Sequence, residues 1–121
     1  PGSFRQYEEY LLARGEFRDW ADLMMAFGVP VEDIGRDRLM QVEAAAPQVL
    51  LPLLHQAVAY HIARKNRLDY MLAVKYLKQL ERMYVNMNRE EAWRQYLGRL
   101  RDRYGRLRSL REEMQKGGLR V

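Results

Sequence analysis

The chain has no cysteine and no threonine, and only two serines, Ser3 and Ser109. Without thiols there is no disulfide, no thiolate nucleophile and no sulfur-based zinc site. With a single internal serine, set among arginines, side-chain hydroxyl nucleophiles are nearly excluded as well. Long apolar runs are also missing. The longest is Val49–Leu54, six residues interrupted by Pro52, where a membrane span needs about 20. With no leader segment read at its start, the chain is expected to be cytoplasmic and not to engage a membrane. No glycine-rich phosphate loop occurs, since Gly117-Gly118 reads as a helix stop. His55 and His61 lie six residues apart, roughly 240° around a helix at about 100° per residue, so they do not form an i, i+4 metal pair. Each reads as a histidine at the core edge or surface. No catalytic, cofactor-binding or metal-binding residue is expected, and the chain reads as a non-enzyme.

What is present is a helical chain with enough apolar residues for a core. Its 121 residues, 48% of them hydrophobic, suit one domain. Pro1-Gly2-Ser3 reads as a remnant of an expression vector, leaving residues 4–121 as a single all-α domain. The net charge of +5 is distributed unevenly: residues 1–60 hold 5 basic and 9 acidic side chains, and residues 61–121 hold 16 basic and 7 acidic. Such polarity suits nucleic acid, an acidic partner or head-to-tail self-association.

The punctuation predicts about six helices. A first spans about Phe4–Ala13 and stops at Gly15. A second, Phe17–Phe27, carries Phe17, Trp20, Ala21, Met24 and Phe27 on one stripe and ends at Gly28 before Pro30. The pair makes a hairpin over 4–28. Central helices over 36–65 follow: a short one at Asp37–Ala45 with Asp37 as N-cap, and a more apolar one from Pro47 to about Arg64. In the latter, Pro52 either kinks the helix or marks its true start, and Leu50, Leu51, Leu54, Val58 and Ile62 are expected in the core. A C-terminal hairpin over 66–118 completes the chain. Its first helix begins at Asn66 in a loose capping box with Asp69 and buries Tyr70, Ala73, Val74, Leu77, Leu80 and Tyr84. Its second begins at Asn88, runs to about Gln115 and buries Trp93, Leu97, Leu100, Tyr104 and Leu107. Strand signals are nearly absent. The expected fold is all-α, built of antiparallel helical hairpins, either TPR-like and α-solenoid-like or a compact bundle.

One ordered string carries a family resemblance. Lys65-Asn66-Arg67, Tyr70, Ala73-Val74, Tyr76-Leu77-Lys78, Leu80 and Tyr84 are followed by Glu90-Glu91 and Trp93. Then come Leu100-Arg101, Tyr104, Arg106-Leu107-Arg108, Leu110, Glu112-Glu113 and Lys116-Gly117. Over 50–118, and more weakly over 4–46, the chain resembles the C-terminal helical region of bacterial SWIM zinc-finger proteins. The resemblance implies a helical module following a Cys-x-Cys…Cys-x-His zinc-binding segment in a longer parent. No residue of this chain matches that segment, so no zinc ligand carries over. The resemblance further implies protein or nucleic-acid partners.

The feature with most bearing on function is an arginine cluster: Arg94, Arg99, Arg101, Arg103, Arg106, Arg108 and Arg111 lie within eighteen residues, with Asp102 the sole acid among them. On one continuous helix, Arg94, Arg101 and Arg108 flank the apolar stripe on one side. Arg99, Arg103 and Arg106 flank it on the other. Three readings fit this pattern. The stems cover the edges of a packed face in solvent, or Arg94, Arg101 and Arg108 bind an acidic protein or another part of the parent chain. Alternatively, Arg99, Arg103 and Arg106, with interleaved tyrosines, bind nucleic acid. The leading expectation is a non-catalytic protein-interaction module, with nucleic-acid binding as the alternative. Met24, Met25, Met40, Met71 and Met83 read as core gap-fillers before they read as an adaptable groove.

Overall fold

A computed structural model describes residues 2–119. Among these residues there is no strand, and the elements are eight α-helices and one 3-10 turn. The all-α expectation holds, while the count of about six helices is corrected to eight. The chain divides into two compact units, Pro1–Leu53 and Leu54–Val121, and each is taken separately below. Of the presumed vector remnant, Gly2 and Ser3 open the first helix, and Pro1 lies outside the described residues.

In the first unit, α1 (Gly2–Ala13) packs on α2 (Phe17–Ala26). Gly15 adopts φ 72° at the turn, a left-handed conformation natural to glycine, and it allows the Glu16 N–H to reach back to the Leu11 carbonyl at 2.9 Å. Trp20, Ala21 and Met24 are buried as the stripe predicted. Phe27 is not: as the C-cap of α2 it is 67% exposed and meets Phe4 edge-on at 5.1 Å. The buried Trp20 indole donates to Glu8 at 3.0 Å, and Arg38 takes the other carboxylate oxygen at 2.5 Å. A buried carboxylate needs such partners to offset its lost hydration.

The one-turn helix α3 (Val31–Ile34), which begins after Pro30, buries Val31 and Ile34. It is too short for periodicity to register. In α4 (Arg36–Ala45) the N-cap is Gly35 at φ 96°, not Asp37, which instead sits in the first turn. There its charge suits the positive end of the helix. Pro47–Val49 form the 3-10 turn, and α5 (Leu50–Ala63) starts three residues later than predicted. Pro52 is the third residue of α5, where its missing N–H breaks no helical bond. It therefore marks the helix start.

The second unit is organised on α6 (Arg67–Asn86), against which both α7 (Glu90–Tyr104) and α8 (Arg108–Lys116) pack. All six residues of the predicted α6 stripe are buried, joined by Tyr76 and Met83. Asn66 caps α6 as expected by accepting from the Asp69 N–H at 2.9 Å. The return bond to the Asp69 carboxylate, 2.6 Å, comes from the Asn66 side-chain amide in place of the backbone N–H of a capping box. At the far end Asn88 takes φ 57°, and the Arg89 N–H returns to the Tyr84 carbonyl at 2.8 Å. Asn88 thus ends α6 as its left-handed residue and is not the N-cap of the next helix. Arg89 holds the N-cap position of α7 without a side-chain cap.

The predicted helix from Asn88 to Gln115 is broken. A Cβ on Gly105 would lie 2.7 Å from the Arg101 carbonyl oxygen, and the Gly105 carbonyl accepts from the Arg111 guanidinium at 3.1 Å. Leu107 then turns extended and becomes the N-cap residue of α8. The apolar rhythm crosses this break without missing a beat, which hides it from periodicity. Trp93 and Leu97 are buried, but Leu100, Tyr104 and Leu107 are half-buried.

Candidate functional site

With α7 ending at Tyr104, the two proposed arginine stripes no longer lie on one helix. Arg94 and Arg101 belong to α7 and Arg108 to α8; Arg99 and Arg103 belong to α7 and Arg106 to the turn after it. Arg94 binds Glu91 at 2.6 Å, and Arg108 lies 3.6 Å from Glu112. Two members of the outer stripe are therefore neutralised by their own helices, and only Arg101 of that set lacks an ion pair among the described residues.

The opposite set is brought together. Tyr96, Arg99, Leu100 and Arg103 recur at i, i+3, i+4 and i+7 and share one face of α7. On α5, His55, Val58 and Ala59 do the same. These seven residues, with Tyr104, line a cleft of about 330 Å³ within the second unit. Ala59 and Arg99 are exposed at its mouth, while Tyr96 and His55 are half-buried. Among the described residues neither Arg99 nor Arg103 has an acidic partner. The Arg103 guanidinium lies 5.3 Å over the Tyr104 ring. Arg106 also lacks an ion pair among the described residues but falls outside the lining.

Two groups in the cleft register its electrostatics. His55 accepts or donates at Nε2 opposite the Tyr84 hydroxyl, 2.8 Å away, and packs edge-on against Tyr96 at 4.3 Å. Burial first, and then the positive charge of Arg99, hold its pKa below the usual 6.5. Burial likewise raises the Tyr96 phenol, with Tyr84 and Tyr104 adding to the effect and Arg99 opposing it. At neutral pH the cleft thus contains two guanidinium groups, a neutral imidazole at His55 and a protonated phenol at Tyr96. Its chemistry is that of an anion receptor with aromatic walls.

A larger surface hollow, about 730 Å³, is lined by Arg67, Glu112, Gln115 and Lys116. Its charges are already matched: Arg67 binds Glu113 at 2.5 Å and Glu112 at 3.2 Å, and Lys116 binds Glu113 at 3.3 Å. That network joins α8 to the start of α6 and has little charge left for a ligand. No group of three His, Asp or Glu side chains among the described residues is placed to hold a metal ion. His61 is buried and bonds Asp69 at 2.5 Å. That bond, followed by those from Asn66 and Arg64, keeps the Asp69 carboxyl below its ordinary pKa. No described helix is long and apolar enough to cross a membrane.

Sequence reasoning named Arg99 and Arg103 but not His55, Val58 or Ala59 as their neighbours. The i, i+3, i+4 spacing on each helix was visible. Which faces of two helices oppose one another is a tertiary fact with no local signature.

The chain is therefore an all-helical protein with a cationic, aromatic-walled cleft. In sequence it is similar to the uncharacterized protein YwqB of Bacillus subtilis (strain 168), with 33% identity over 119 residues, 98% of this chain and 22% of that protein. The chain thus spans about a fifth of the length of the curated relative it matches. No family model matches the sequence, and no solved structure matches it significantly.

Proposed function

We propose that this chain is a non-catalytic helical interaction module that receives an anionic group of its partner in the cleft between α5 and α7. One observation carries the reading: Arg99 and Arg103 sit one helical turn apart over a half-buried aromatic floor and have no acidic partner among the described residues. Elsewhere on the basic unit the arginines Arg67, Arg94 and Arg108 are matched by glutamates. A cation pair left open beside an aromatic cleft, while Arg67, Arg94 and Arg108 are paired, is suited to an external anion. The near-absence of nucleophilic side chains supports the non-catalytic part.

We place the module as the accessory helical region of a longer protein of the SWIM zinc-finger type. The ordered string from Asn66 to Gly117 supports this, as does the greater length of the relative it matches. A parent reading frame lacking any Cys-x-Cys…Cys-x-His segment overturns the context and leaves the cleft untouched.

The cleft itself is tested by retention on immobilised poly-L-glutamate and on an immobilised oligonucleotide at low salt. Salt-sensitive binding to either, lost in R99E/R103E and kept in R94E/R108E, supports the reading. Equal loss in both variants, or no binding by the unaltered chain, overturns it.

A further inference from the structure

Resting on that reading, we propose that the anion is the backbone of single-stranded nucleic acid, with one unpaired base entering the cleft against Tyr104 and Tyr96 and its phosphate held between Arg99 and Arg103. Three features of the cleft separate this partner from an acidic peptide. First, the walls are flat rings. Tyr104 already carries the Arg103 guanidinium at 5.3 Å, and a base stacks on such a surface, whereas an aspartate or glutamate side chain gains little from it. Second, the volume of about 330 Å³ lies at the small end of ligand clefts, enough for one base with its phosphate and not for a folded peptide turn.

Third, the positive charge continues beyond the cleft. Arg106, in the turn after α7, is exposed and without an ion pair among the described residues, so unmatched positive charge continues past Arg103 at the end of α7. Arg101, about 200° round the helix from Arg99, takes no part. A polyanion uses such a track and a single carboxylate does not. The duplex form is disfavoured because its bases are stacked and paired and cannot turn into a pocket of this size. Recognition of this kind tolerates many sequences, since every base has a flat face and no side-chain amide lines the cleft to read base edges.

The test is fluorescence anisotropy with a labelled short oligothymidylate, beside the same length of duplex DNA and poly-L-glutamate of similar charge. The expected results are tighter binding of the single strand than of the duplex, and affinity that falls steeply between about 50 and 200 mM salt. R99E/R103E should abolish binding. Y104L should weaken it about tenfold, with Y104F nearly unchanged, because the ring and not the hydroxyl stacks. Circular dichroism melts of each variant report folding separately. Binding of poly-L-glutamate alone overturns this inference and leaves the anion-binding cleft standing, and binding of none of the probes overturns both. Equal affinity for duplex and single strand, or a folded Y104L that binds as well as the unaltered chain, overturns the base-stacking inference.

Discussion

The imidazole of His55, which lines the arginine cleft, and the Tyr84 hydroxyl, brought together from α5 and α6, lie 2.8 Å apart. Burial and the nearby Arg99 disfavour the imidazolium, so the ring is neutral at pH 7 and can accept a hydrogen bond from the Tyr84 hydroxyl. Protonation would turn it into a donor only and place a third positive charge beside Arg99. Because the folded pKa is depressed, the favourable contribution of the neutral ring is complete above pH 6.5. It is lost as the pH falls below that value towards the folded pKa. Proton NMR titration should find His55 titrating below 6.5, and R99Q should move it upward. A His55 that titrates at or above 6.5 contradicts the arrangement.

Occupation of the cleft should reverse that shift. An anion between Arg99 and Arg103 lowers the cost of charging His55, so binding and protonation favour each other. Affinity for an anionic probe is expected to rise as the pH is lowered from about 7.5 to 5.5, and H55Q should flatten this dependence. Isothermal titration at several pH values checks it. Affinity independent of pH in the unaltered chain places His55 outside the binding event.

The fit of α8 against α6 depends on a single missing methyl. A Cβ on Gly117 would lie 2.7 Å from Cγ1 of Val74, itself a buried residue of α6. G117A should therefore destabilise the second unit by about 1–3 kcal/mol through overpacking. In a V74A background the same change should cost much less, since the clashing methyl is gone. Urea unfolding of the four proteins measures the coupling.

In the first unit the buried Glu8 carboxylate serves both the Trp20 indole and Arg38. E8L leaves a buried indole N–H without an acceptor and Arg38 with only the exposed Glu9, 3.6 Å away, as counter-ion. A loss of about 2–4 kcal/mol is expected. E8Q, which keeps one acceptor oxygen, should lose less. Thermal melts of the two variants decide the order.

Helix content was legible wherever a long apolar stripe met a recognisable cap. The stripe of α6, the Asn66 cap and the glycine stop at Gly15 were read correctly because each rests on interactions within a few residues. The missed features share a cause. Asn88 suits either a helix start or a left-handed helix end, and only the returning bond to the Tyr84 carbonyl decides between them. The α7–α8 break at Gly105 preserved the spacing of Leu100, Tyr104 and Leu107, so periodicity passed over it. Arg94 and Arg108 were placed on one stripe for that reason, although each is occupied by a glutamate within its own helix. Arg99 and Arg103 could be named from sequence, but His55 and Ala59 opposite them required knowledge of which helix faces meet.

Amide chemical-shift mapping during titration with a short oligothymidylate locates the binding face without altering any side chain. If Arg99 and Arg103 hold the strand, the largest changes fall on residues 96–104 of α7 and around His55 and Ala59 of α5. Changes concentrated on α8, in the first unit, or nowhere at low salt would contradict binding in the cleft.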